Sequence, residues 1–330
     1  MNLKAIPALC VTLCVGQAVQ AQLEYTVNAD NTLTITGYTG PPWAVAIPTN
    51  IHGLTVVAIG DSAFENSELT SVTIPGSVAS IGEGAFTYCY SLTNATIANG
   101  VTIVGTEAFI DCNSLARITI PGSVASIGQQ AFQGCSGLTN ATVADGVTNI
   151  GMWAFVSCGG LTSITIPGSV TSIADYAFAS CDSLTNVSIL SKVISIGDEV
   201  FEDCKGLTSV FFAGNAPTLG SDVFGDDNSN PVIYYLPGTS GWSSPFASRQ
   251  ALLWNPSIQT GGTNFGVQSN QFGFKITGTP YIPIAVEACT NLANPLWTRL
   301  EALTLTNGSF YFSEPVQTNA ACRFYRITSP

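Results

Sequence analysis

Apolar residues return along most of this chain on a fixed frame. From Leu115 to Cys135 they fall at Leu115, Ile118 and Ile120, then Val124 and Ile127, then Ala131-Phe132 and Cys135. The same frame reads Leu161, Ile164, Ile166, Val170, Ile173, Phe178 and Cys181. The Ala-Phe step marks the period: Phe64 and Phe86 are 22 residues apart, and Phe109, Phe132, Phe155, Phe178, Phe201 and Phe224 follow at 23 each. A period in this range is the mark of stacked coils, each burying its apolar face on its neighbours.

Within one coil the stretch around Ser163 to Ile166 alternates polar and β-branched apolar residues, which predicts a half-buried strand. Equivalent strands then stack in parallel about 4.8 Å apart. Pro121-Gly122-Ser123 and single glycines such as Gly128 mark the corners. The Ala-Phe segment is too short for a free helix and reads as one helical or 3₁₀ turn plugging the coil. A stack needs atypical ends. Tyr25 to Ile35 reads as a hairpin turning at Asn28 to Asn31, Trp43 to Pro48 as a degenerate strand, and Asn50 to Val56 as an insertion. At the other end Val232 to Leu236 reads as a last strand, with Trp242, Phe246 and Trp254 closing the core.

Residues 22 to about 256 resemble the BspA-like leucine-rich repeat family of bacterial surface proteins. The likeness is carried by Leu161-Thr162-Ser163-Ile164-Thr165-Ile166-Pro167, Val170 to Ile173, Ala177-Phe178 and Cys181, and by their counterparts in the other coils. It implies a right-handed solenoid displayed outside the cell and acting in adhesion or protein binding, with no shared catalytic residues. After Pro256 the period stops. Short strand-like runs, Phe272 to Ile276, Ile284 to Glu287, Leu303 to Leu305 and Phe310 to Phe312, read as a small antiparallel β-sandwich over 257–330. The expected fold is therefore mostly β: a leucine-rich-repeat solenoid of 23-residue coils with a small C-terminal β-sandwich.

Composition narrows the function. Nine Lys and Arg against 21 Asp and Glu give a net charge of −12, which repels nucleic acid and anionic lipid. Residues 1–21 read as a secretory signal peptide, with Lys4, an apolar run from Ala5 to Val15, and Val19-Gln20-Ala21 at the cleavage site. No other run is long enough for a membrane span. The protein is expected outside the cell, secreted or at its surface.

Several residues tempt a chemical reading. Cys89, Cys112, Cys135, Cys158, Cys181 and Cys204 form a ladder at 23-residue gaps, unlike the short spacings of metal sites. Buried free thiols are the simplest account; inter-coil disulfides or a metal are the alternatives. Cys289 and Cys322 could form one disulfide in an exported protein. His52, the one histidine, sits in the insertion beside Gly53 without a nucleophile motif. Asp226 to Asn230 places oxygen ligands at alternate positions, but Pro231 stands where a calcium loop needs glycine, so a solvated loop is the plainer reading. Glu202-Asp203 and Asp61 with Glu65 read as solvated corner charges rather than a glycosidase pair. No cofactor, metal or catalytic site is expected.

What remains is the outward side of the main strands, where Ser71, Asn94, Arg117, Asn140, Ser163, Asn186 and Ser209 form one column. Thr73, Thr96, Thr119, Thr142, Thr165, Ser188 and Phe211 form the next. Arg117, Thr119, Asn140, Thr142, Ser163, Thr165, Asn186 and Phe211 are the expected binding residues, with Arg117 and Phe211 as anchors because Arg and aromatics dominate hot spots. Asn94, Asn140 and Asn186 also head N-glycosylation sequons every 46 residues, an interval explained by duplication of alternating coil types. The expectation is a non-enzymatic protein binding an extracellular protein or glycan. The alternatives are a structural envelope or spacer protein, for which Thr merely suits strands, and a secreted hydrolase.

Overall fold

A computed structural model describes residues 22–190, 192–225, 230–263, 265–316 and 322–328. The signal segment and the calcium-like loop at 226–229 lie outside them. No described residue is helical. About nine turns of parallel strands stack along one axis, and the β-branched alternation forms the strands where the sequence places it. Main strands Ala44–Ala46, Ser71–Ile74, Asn94–Ile97, Arg117–Ile120 and Asn140–Val143 form one parallel sheet. Ser163–Ile166, Asn186–Ile189, Ser209–Phe212, Val232–Tyr235 and Ala251–Leu253 form the next. Register is one coil throughout: Arg117 pairs with Asn94 and Asn140, and Thr119 with Thr96 and Thr142. A second, unbroken ladder of two-residue strands runs from Ser80–Ile81 to Thr218–Leu219.

Both ends are capped. Leu23–Val27 and Leu33–Tyr38 make the expected antiparallel hairpin, with Asn31 in the left-handed region that its turn requires. The insertion folds as a smaller hairpin, Asn50–Ile51 against Leu54–Ile59, with His52 exposed at its tip. At the far end Trp242 stacks on Tyr235 and tilts against Phe212 and Phe246. Trp254 does not join them: half-buried, it packs against the core of the C-terminal sheets and donates Nε1–H to the Pro283 carbonyl at 2.8 Å.

The Phe side chains form one interior column. Neighbouring ring centroids from Phe64 to Phe224 lie 4.9–5.7 Å apart and within 14° of parallel. The Ala-Phe segment is not the expected helical or 3₁₀ turn. A helix spends its N–H groups within its own coil, whereas here alternate N–H groups cross to the next. Phe109 N–H reaches the Ala131 carbonyl, and Glu107 and Asp111 reach those of Gln129 and Gln133, all at 2.7–2.8 Å. From Phe64 to Phe201, residues two before and two after each Phe, such as Glu107 and Asp111 around Phe109, take φ of 52–71° to turn those peptides outward.

Alternate coils interlock at the corners. Ser123 Oγ–H donates to the Val101 carbonyl at 2.6 Å and accepts Gly100 N–H at 3.1 Å; Ser169 does the same with Val147 and Gly146. A Cβ on Gly122 would collide with the Asp145 carbonyl oxygen. Ser77, first of its kind, has no such loop behind it, and its Oγ is buried without a partner.

After Pro256 two antiparallel sheets share one core. Ser257–Gln259, Gly266–Gln268, Gln271–Thr277 and Ser309–Pro315 form the first; Pro283–Cys289, Thr298–Thr304 and Phe324–Thr328 form the second. Phe274, Ile276, Ile284, Val286 and Phe312 meet there, joined by Tyr234 from the solenoid.

Candidate interaction surface

The main-strand face has three distinct parts. In its middle Arg117, Thr119, Asn140, Thr142, Ser163 and Thr165 are all exposed, while the residues between them are buried. Pleating enforces this: successive side chains leave a strand on opposite faces. Arg117 stands between the amides of Asn94 and Asn140, about 4.8 Å from each strand. It makes no ion pair among the described residues. Thr142 Oγ1–H donates to Asn140 Oδ1 at 3.3 Å; the hydroxyls of Thr119 and Thr165 bond to no protein group there. These polar groups are held in register on the exposed face.

Towards the C-terminal end the ladder closes. Asn186 and Ser188 are half-buried, and Ser209 is 7% exposed, its hydroxyl donating to Asn186 Oδ1. Phe211 is half-buried, stacked on Tyr234 with centroids 4.8 Å apart, and packs on the core of the C-terminal sheets. Arg117 and Phe211 are four coils apart, about 19 Å, so one small ligand does not span them. Beside Phe211 lies an open apolar notch of ≈150 Å³ lined by Ser188, Leu190, Phe211, Tyr234, Leu236 and Trp254. Tyr234 Oη–H and Trp254 Nε1–H point away to carbonyls of Tyr281 and Pro283. Burial raises the Tyr234 pKa, so its phenol stays neutral. Tyr234 was legible in the sequence as the residue one coil below Phe211. Leu190 and Trp254 carried no such signal.

The other candidates resolve structurally. The six ladder cysteines are free and buried. Each thiol donates to the carbonyl of a Phe in the preceding coil: Cys135 to Phe109 at 3.2 Å, Cys158 to Phe132 at 3.2 Å, Cys204 to Phe178 at 3.1 Å. Burial pushes the Cys135 and Cys158 thiols up. For Cys89, Cys112 and Cys181 the neighbouring thiol of the next coil is the larger cause, and burial adds to it. Cys289 is buried and Cys322 exposed, each a free thiol. Asp61, Asp175 and Asp198 are inter-coil caps, accepting the N–H groups of Glu83, Asp198 and Ser221.

A family model for the BspA type leucine rich repeat region matches in six copies, over residues 49–139 and 102–230, more than half of the chain. The chain belongs to this family. Similar solved structures include a leucine-rich repeat protein of T. pallidum, 29% identical, covering 67% of this chain and 88% of that one with a TM-score of 0.48. A leucine-rich repeat protein of Bacteroides ovatus is 26% identical over 65% of this chain and 70% of its own, TM-score 0.42. A leucine rich cell surface protein of Faecalibacterium prausnitzii is 25% identical over 66% and 88%, TM-score 0.34. No curated protein matches. Among the described residues no helix is long and apolar enough to cross a membrane.

Proposed function

We propose that this BspA-type repeat protein is exported and binds an extracellular protein or glycan through its main-strand face, without catalysis. The observation that carries the reading is the exposed polar ladder of Arg117, Thr119, Asn140, Thr142, Ser163 and Thr165, fixed at coil spacing on the stack. Asn186 and Phe211 extend it to the apolar notch, where a partner's apolar side chain finds aromatic walls. Residues 22–256 carry the binding, 257–330 form a separate β-sandwich buttressing the notch, and 1–21 direct export. The engaged corner carboxylates, Asp61, Asp175 and Asp198, support a non-catalytic role. Retention of matrix proteins or arrayed glycans by the purified chain, lost in Arg117→Ala/Asn140→Ala, tests the reading. Silence across both panels refutes it.

One observation favours a spacer protein instead. Thr93, Thr139, Thr185 and Thr208 use their hydroxyls to bond carbonyls of the preceding coil, so threonine has a structural use in this chain. On that reading Thr119→Ala and Thr165→Ala leave every binding phenotype unchanged.

A further inference from the structure

The turn side of the solenoid carries a second row that neither packing nor backbone preference explains. Two residues before each column Phe the chain places Ser62, Gly84, Glu107, Gln130, Trp153, Tyr176, Glu199 and Asp222, all with positive φ. Trp153 and Tyr176 have φ of 55° and 56°. There the Cβ crowds the carbonyl oxygen, so glycine and short polar residues are at ease and large aromatics are outliers. The rings do not fill the core, which Phe155 and Phe178 occupy. They lie half-buried at the surface, centroids 6.0 Å apart and 38° from parallel. Strain retained at a surface position points to function rather than folding.

The neighbours of the pair define what it would hold. One coil before it, Gln130 Nε2–H donates to Gln133 Oε1 at 2.8 Å. One coil after it, Glu199 Oε1 accepts the Tyr176 hydroxyl proton at 2.9 Å, leaving the second carboxylate oxygen as an acceptor. Trp153 Nε1–H bonds to no protein group among the described residues and is not buried. Two aromatic faces one coil apart, bracketed by amide and carboxylate, match a sugar chain. Pyranose C–H faces stack on the rings while hydroxyls donate to Glu199 and accept from Trp153. Glu199, its neighbour Asp198, Asp175 beside Tyr176 and the net charge of −12 disfavour uronic acids and sulfated glycans.

We propose that Trp153 and Tyr176 form a stacking platform for a neutral polysaccharide, on a face separate from the strand ladder. The test is affinity electrophoresis of the purified full chain through gels containing laminarin, galactomannan or hydroxyethylcellulose, with alginate as the anionic arm. Retardation by at least one neutral polymer is expected. Trp153→Gln and Tyr176→Gln suit the backbone, since Gln130 holds the same position at φ 54°. Each is expected to weaken retardation at least tenfold with the melting temperature unchanged or raised, while Trp153→Phe keeps most of it. No retardation by any neutral polymer, retardation by alginate alone, or retardation unaffected in the double Gln variant overturns the proposal. So does a fall of several degrees in melting temperature in both Gln variants with retardation intact, which would make the rings structural.

Discussion

Replacing Cys135 separates two accounts of the cysteine column. If the thiol only fills space, any small residue serves and a hydroxyl is worse than a methyl. If it caps the Phe109 carbonyl, a hydroxyl recovers what a methyl loses. Cys135 is fully buried and its Sγ lies 3.2 Å from that oxygen, whose other donor, Cys112 N–H, is a long 3.3 Å away. Cys135→Ala removes the transfer energy of one buried heavy atom, about 1 kcal/mol. It leaves a cavity of roughly 25 Å³, worth about 0.6 kcal/mol at ~24 cal/mol/Å³. It also loses one hydrogen bond to a buried carbonyl, about 0.5–1 kcal/mol. The total is about 2–2.5 kcal/mol. Cys135→Ser keeps a donor, so its loss is expected at about 1–1.5 kcal/mol, the shorter side chain stretching the bond. Urea unfolding followed by circular dichroism reads both from the midpoint, provided the slope is unchanged. A Ser variant less stable than the Ala variant by more than about 1 kcal/mol refutes the capping role, because an unsatisfied buried hydroxyl is what packing alone predicts.

The thiols also predict behaviour towards alkali and alkylating reagents. Burial raises the folded pKa of Cys135 and Cys158. Their contribution is complete below the unfolded value of about 8.5 and declines above it by about 1.4 kcal/mol per pH unit and per thiol; urea midpoints at pH 8 and pH 10 measure this. Iodoacetamide on the native protein is expected to modify exposed Cys322 and spare the ladder, as peptide mass spectrometry would show. Phe132→Ala, between rings at 5.3 and 5.2 Å, is expected to cost about 3–5 kcal/mol, and Phe224→Ala, stacked on one side only, clearly less, by the same urea assay. Gly122→Ala is expected to lose at least about 2 kcal/mol because its Cβ meets backbone, whereas Gly159→Ala, with open space around it, stays within about 0.5 kcal/mol in thermal melts.

The period alone placed Phe109, Phe132 and Phe155 in one column and Arg117 beside Asn94 and Asn140, because stacking at fixed length turns spacing into contact. The first hairpin at the N-terminal end was legible from its turn residues, whereas the second, around His52, read only as an insertion. The Ala-Phe turn was not, because its direction depends on peptide planes turned by residues such as Glu107 and Gln130, whose side chains give no left-handed signal. The cysteines read as small apolar residues, since periodicity reports burial and not the carbonyl each one meets. Ser209 and Phe211 read as exposed because a one-coil pattern cannot show that the C-terminal sheets cover the last strands. Trp254 failed for the same reason: a lone aromatic after a repeat has two cores within reach.

The corner locks give this solenoid a natural unit of growth. Between Pro75 and Ser169 a Pro-Gly-Ser corner always meets an Ala-x-Gly corner, and Ser123 or Ser169 latches the two. Gain or loss of a coil pair keeps every latch matched; gain or loss of a lone coil sets two like corners face to face. Ser77, whose latch has nothing to catch, shows what such a mismatch leaves behind. Lineages of this architecture should therefore differ in length by even numbers of coils, a parity written into the chain by two hydroxyls.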